Sequence, residues 1–170
     1  MDIGTGDGRA VLDRAACDPA ALVIGVDAAA TSMAESSRRA DRRGPRNALF
    51  FAAGAEALST TPLAGRADLV TVTFPWGSLL RGVAAVVRAG GRIEGLASVV
   101  PSDGMDGMDC LDASAAPAIA EAWRGAGLRL MAMRPAQPDD IAAAGSSWAR
   151  RLGPDRPVWR LDGVRTGEHG

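Results

Sequence analysis

Short apolar runs, each closed by an acid, a proline or a glycine, alternate along the chain with stretches whose apolar positions recur at helical spacing. Residues 21–27, A-L-V-I-G-V-D, read as a buried strand of a parallel sheet. Residues 48–53, 68–74 (D-L-V-T-V-T-F), 92–100, 128–133 and 158–164 read as further strands. Helices are predicted over 11–16, closed by Asp18-Pro19, and over 32–43, opened by a capping box of Ser32 and Glu35 and stopped before Gly44-Pro45. Two more are predicted over 79–88, ended by Gly90-Gly91, and over 113–127. Residues 103–112 read as loop, and 135–145 as loop with a short helix. Strands alternating with helices in this order predict one α/β domain spanning 1–170, with a mostly parallel central sheet and helices on both faces.

The first residues, M-D-I-G-T-G-D-G, are a glycine loop with only a stub of strand ahead of it. Glycines there let the backbone turn sharply from strand to helix while leaving N–H groups exposed. Asp27 closes the next strand about where an acid meets ribose hydroxyls in Rossmann-like sites, so the pair predicts an adenosine-containing ligand. The loop lacks a full G-x-G-x-x-G, and it carries Asp2 and Asp7, which would repel a pyrophosphate. Asp2 is placed to receive an ammonium group instead, and the ligand is expected along Gly4, Thr5 and Gly6: S-adenosyl-L-methionine rather than NAD. A-A-G-A-E-A-L, residues 52–58, follows the third strand, where backbone around Ala55 and Glu56 would read an adenine edge.

Composition narrows the class. No apolar run is long enough to cross a membrane and no signal peptide is legible, so a cytoplasmic protein without a membrane partner is expected. Cys17 and Cys110 are far apart and His169 is the single histidine, which argues against a metal site or a disulfide framework. All 19 basic residues are arginine, and a net charge of −1 conceals their uneven placement. Arg38, Arg39, Arg42 and Arg43 share a helix face, with Glu35 and Asp41 as the only relief.

Two tryptophans stand at loop positions. Trp76, in T-F-P-W-G-S-L-L-R-G, follows a strand end beside the expected methyl donor; Trp148, in S-S-W-A-R-R-L, has hydroxyls before it and arginines after it. Stacking faces with hydrogen-bonding and phosphate-binding neighbours are what recognition of a flipped or single-stranded base requires.

With these motifs together, the chain resembles the 16S ribosomal RNA adenine-N1 methyltransferases of the decoding site, which confer aminoglycoside resistance. The resemblance rests on D-I-G-T-G-D-G, V-D at Asp27, A-E-A-L at Ala55, F-P-W-G-S-L-L-R-G and S-S-W-A-R-R-L, and extends over nearly the whole chain. It implies a class I, Rossmann-like methyltransferase whose Asp2, Asp27, Ala55, Glu56 and Ser78 hold S-adenosyl-L-methionine. It further implies that Trp76 and Trp148 stack the flipped adenine, and that Ser146 or Ser147 positions it. Arg38, Arg39, Arg42 and Arg43 would dock on 16S rRNA of the 30S subunit, with Arg151 and Arg156 on phosphates near the target and the enzyme working as a monomer. Family members usually carry a β-hairpin and a complete first strand before the aspartate, and a longer stretch after L-L-R-G. Here Met1 alone precedes Asp2, and Gly82 runs directly into V-A-A-V-V-R. The competing classes are a homologue that binds cofactor or RNA without turnover, and a small-molecule methyltransferase, which the arginine ridge disfavours.

Overall fold

The computed structural model describes residues 1–73, 77–103, 110–145 and 156–167, without the side chains of residues 43, 78 and 102. In chain order the elements are β1 (Asp2–Ile3), α1 (Arg9–Cys17), β2 (Val23–Asp27), α2 (Ala30–Arg43), β3 (Ala48–Ala52), a 3-10 turn (Ala55–Thr60) and β4 (Ala67–Thr73). There follow α3 (Ser78–Val86), β5 (Val87–Ala97), α4 (Ala116–Gly125), β6 (Leu128–Pro135), α5 (Pro138–Ala144) and β7 (Trp159–Arg165). They build one seven-stranded sheet in the order β3-β2-β1-β4-β5-β7-β6. Neighbours from β3 to β5 are parallel, and β7 is antiparallel to both β5 and β6.

Strand order reverses at β1. Successive strands run outward from it through β2 and β3 on one side and through β4 and β5 on the other. Loops leaving β1 and β4 therefore part company at the carboxyl edge and leave a crevice, the usual ligand position in such sheets.

Alternation along the strands sorts side chains onto two faces. Ile3, Val26, Val70, Val72, Ile93 and Leu161 form one core with Leu80 and Val83 of α3 and Ile119 and Trp123 of α4. On the other face Val11, Leu12 and Ala15 of α1 pack with Val23, Ala48 and Phe50. Asp2 falls on the α1 face because Ile3 takes the core.

Three expectations change. Helix α2 starts at Ala30, earlier than the Ser32–Glu35 capping box would have it, and its N-cap Ala29 uses no side-chain cap. Asp27 already accepts the Ala29 N–H at 2.9 Å, so the helix begins there, and Glu35 pairs with Arg38 instead. The helix expected over 79–88 ends at Val86, and Gly90-Gly91 lie inside β5. Pairing with β4 jumps from Ala67↔Val87 to Leu69↔Arg92, and the intervening residues bulge through Gly90 at φ 71°. The helix expected over 113–127 opens as a 3-10 turn, Ala113–Ala115, capped by Asp112, which accepts the Ser114 N–H at 2.8 Å.

Candidate active site

The glycine loop alternates: Gly4, Gly6 and Gly8 have φ of 74°, 60° and 72°, conformations that side chains oppose. The Gly4 and Thr5 N–H groups donate to the Val26 carbonyl at 2.8 and 3.1 Å, tying the loop to the end of β2. Asp27, at that end, accepts the Gly6 N–H at 2.9 Å with one carboxylate oxygen and the Ala29 N–H at 2.9 Å with the other. One acid thus sets both the loop and the start of α2. Close packing requires the glycines here: a Cβ on Gly8 would strike the Phe50 ring and Ser36, and one on Gly25 would strike Val11, Thr5 and Phe50. Ser36 of α2 donates its hydroxyl to the Asp7 carbonyl at 2.5 Å, holding the loop from its far side.

Ala55 and Glu56 open the 3-10 turn beyond β3, beside Asp27, whose carbonyl accepts the Ala53 N–H at 3.0 Å. The Glu56 carboxylate lies back over Gly54, where a Cβ would collide with it. Helix α3 docks on the same turn through Gly82, where a Cβ would lie 2.7 Å from the Ala55 carbonyl oxygen. The L-L-R-G motif therefore has a structural use that its sequence does not advertise: it brings the segment after Trp76 against the turn of Ala55 and Glu56.

The structure thus gathers Asp2, Gly4, Thr5, Gly6, Asp27, Ala55, Glu56 and the start of α3 at one edge of the sheet. Trp76, Ser146, Ser147, Trp148 and Arg151 lie outside the described residues, as do the side chains of Ser78 and Arg43. Arg38, Arg39 and Arg42 are exposed on α2, whose inward face carries Met33 and Ser36. Arg38 pairs with Glu35 at 2.7 Å, and this partner holds the Glu35 carboxyl below its ordinary range. Arg156, just before β7, is tied to the segment that leaves β5: its guanidinium bonds the Asp103 carboxylate and the Ser98 hydroxyl, the latter at 2.9 Å. The Val100 N–H, and then Arg156, hold the Asp103 carboxyl below its usual range.

Sequence reasoning missed a row of polar residues on the α1 face. Asp2, Thr71, Glu94 and Asp162 stand side by side across β1, β4, β5 and β7. Alternating polar positions in D-L-V-T-V-T-F were the available signal. Arg160 neutralises the far end of the row, reaching Asp162 at 2.9 Å, Glu94 at 3.1 Å and Asp140 of α5 at 3.4 Å. Arg134 grips the same Asp140 with two bonds, 2.6 and 2.9 Å, a fork geometry that ties α5 to the sheet.

That clamp gives a pH signature. The hydrogen bond from Arg134, then the Gln137 N–H, pull the Asp140 carboxyl down from 3.8 to about 2. An acid whose folded-state value is depressed stabilises above its unfolded value and loses that contribution as pH falls through the folded one. Asp140→Asn is therefore expected to lower the melting temperature above pH 3.8, and the gap from the unmodified protein should close as pH approaches about 2. Thermal melts across that range check this; a gap unchanged at the acid end would contradict it.

Comparison with known proteins agrees with the geometry. Residues 1–104 match the family described as "NpmA: 16S rRNA (adenine(1408)-N(1))-methyltransferase". A 16S rRNA (adenine(1408)-N(1))-methyltransferase of Streptoalloteichus tenebrarius is 35% identical over 176 residues, spanning 89% of this chain and 79% of the relative. Its counterpart in Streptoalloteichus hindustanus is 31% identical, over 92% of this chain and 80% of the relative. Among solved structures, the 16S rRNA methyltransferase KamB superposes with a TM-score of 0.83 at 32% identity, covering 98% of this chain and 86% of that one. A mutant 16S rRNA (adenine(1408)-N(1))-methyltransferase from Catenulisporales acidiphilia, solved with cosubstrate SAM, gives 0.83 at 27% identity, covering 99% and 86%.

Proposed function

The chain belongs to the 16S rRNA (adenine(1408)-N(1))-methyltransferase family, and we propose that it methylates N1 of a flipped adenine in 16S rRNA of the 30S subunit, using S-adenosyl-L-methionine and giving aminoglycoside resistance. The observation that carries this reading is the cradle at the β1 switch point, where Asp27 pins the loop of Gly4, Thr5 and Gly6.

The residues present fit that donor. Asp27 keeps lone pairs for ribose hydroxyls, and Asp2 offers a carboxylate to an ammonium group; neither suits a pyrophosphate. Thr5 supplies a further polar group in the loop, its hydroxyl oxygen buried with no partner among the described residues. Ala55 and Glu56 would meet the adenine edge, and Ser78 would complete the pocket at the start of α3. Bound there, S-adenosyl-L-methionine supplies an electrophilic methyl carbon on its sulfonium.

Adenine N1 carries its own lone pair at neutral pH, so this chain needs no general base. Its task is to extract the base, hold N1 in line with the methyl carbon and exclude water. Trp76 and Trp148 would sandwich the adenine, at about 1–3 kcal/mol of stacking per ring, and so offset part of the flipping cost. The same π-faces favour the cationic product. Ser146 and Ser147 would set the base edge. Arg38, Arg39, Arg42 and Arg43 would dock on the rRNA backbone, with Arg151 and Arg156 nearer the target.

Transfer of a labelled methyl group tests the reading. Label is expected in 16S rRNA when assembled 30S subunits are offered, and not in free metabolites; label confined to metabolites would overturn it.

A further inference from the structure

Three groups on the α1 face form a chain that ends at the candidate donor pocket. Arg14 of α1 donates from Nη1 to the Thr71 hydroxyl oxygen at 3.1 Å. The Thr71 hydroxyl lies 2.6 Å from Asp2 Oδ1 and 3.5 Å from the Met1 carbonyl. A guanidinium only donates, so Arg14 occupies an acceptor site on Thr71 and leaves the hydroxyl proton for an acceptor of its own. The carboxylate is the nearer and the charged one, and takes it.

All three side chains are half-buried and line one cavity, together with Thr73, Glu94 and Arg160 among others. The anions of that cavity differ in how they are met. Glu94 and Asp140 are paired with Arg160, whereas Asp2 forms no ion pair among the described residues and is held only by a hydroxyl on Oδ1. Its second oxygen remains for a cation. Thr71 faces Asp2 in the β1–β4 register, so among the described residues its hydroxyl is the group that orients the carboxylate.

Resting on the cofactor reading above, we infer that Thr71 and Arg14 are positioning residues for the amino-acid end of the methyl donor. Arg14 orients the Thr71 hydroxyl, and Thr71 in turn holds Asp2 with one carboxylate oxygen turned to the donor's ammonium group. Neither residue touches the donor.

Calorimetry with two probes tests this on the full chain: S-adenosylhomocysteine, which has the amino-acid end, and 5′-methylthioadenosine, which lacks it. Thr71→Val removes the hydroxyl at equal volume, and is expected to weaken S-adenosylhomocysteine binding about tenfold, the scale of one hydrogen bond to a charged group. Binding of 5′-methylthioadenosine should stay unchanged, which also shows that the variant is folded. Thr71→Ser should restore the difference between the probes, and Arg14→Met should lower it in the same direction by less. Equal weakening of both probes by Thr71→Val, or no weakening of either, overturns the inference while the cofactor reading stands. If the unmodified protein binds neither probe, the cofactor reading fails and this inference with it.

Discussion

Trp148→Ala or Trp76→Ala is expected to reduce methylation of 30S subunits by at least about 100-fold while the affinity for S-adenosylhomocysteine stays within about twofold. The asymmetry follows from where the groups lie in sequence and fold. The donor contacts proposed above would come from the glycine loop, Asp27 and the turn at Ala55, which β1, β2 and β3 place. Trp76 follows β4, and Trp148 follows α5. On the proposed reading each ring would stack on the adenine and keep N1 in line with the methyl carbon, so one loss would remove both binding and alignment. Parallel assays of methyl transfer and cofactor calorimetry check this; equal loss of both would make the rings structural.

Asp27→Ala should do the reverse and strike the cofactor first. Its two oxygens accept the Gly6 and Ala29 N–H groups, both at 2.9 Å, so the substitution unpins the glycine loop and the start of α2 together. Hydrogen bonds to a charged group contribute about 1.5–3 kcal/mol each, and the loss of ribose acceptance adds to loop release. An affinity loss of about 100-fold for S-adenosylhomocysteine is expected, corresponding to about 2.8 kcal/mol. Asp27→Asn keeps one acceptor oxygen and should fall between. Calorimetry measures both, and an unchanged affinity in Asp27→Ala would contradict the assigned ribose contact.

Strands β2, β3 and β4 were legible as short apolar runs, and their alternation with helices pointed to a mostly parallel sheet; the strand order and the antiparallel β7 depend on pairing that no single strand records. Asp27 was legible because it closes a strand at a recognisable distance from a glycine loop. Thr71 was not, because its value lies in a partner across β1, and cross-strand register is not written in either strand alone. Arg14 was read only as part of a helix, since reaching Thr71 depends on how α1 lies over the sheet. Gly82 was visible inside a motif, yet its use, a close approach to the Ala55 carbonyl, appears only once α3 and the turn are packed. The α2 capping box misled for a local reason: Asp27 accepts the Ala29 N–H and the helix is already under way at Ser32.

On the proposed reading the cradle at β1 serves transfer to one rRNA base. Primer extension on 16S rRNA from 30S subunits incubated with the protein and S-adenosyl-L-methionine tests it most directly, because a methyl on N1 blocks base pairing and halts reverse transcriptase. A new stop is expected at a single decoding-site adenine, dependent on the donor and absent with Trp148→Ala. Full-length extension through that adenine, with the donor bound, would contradict it.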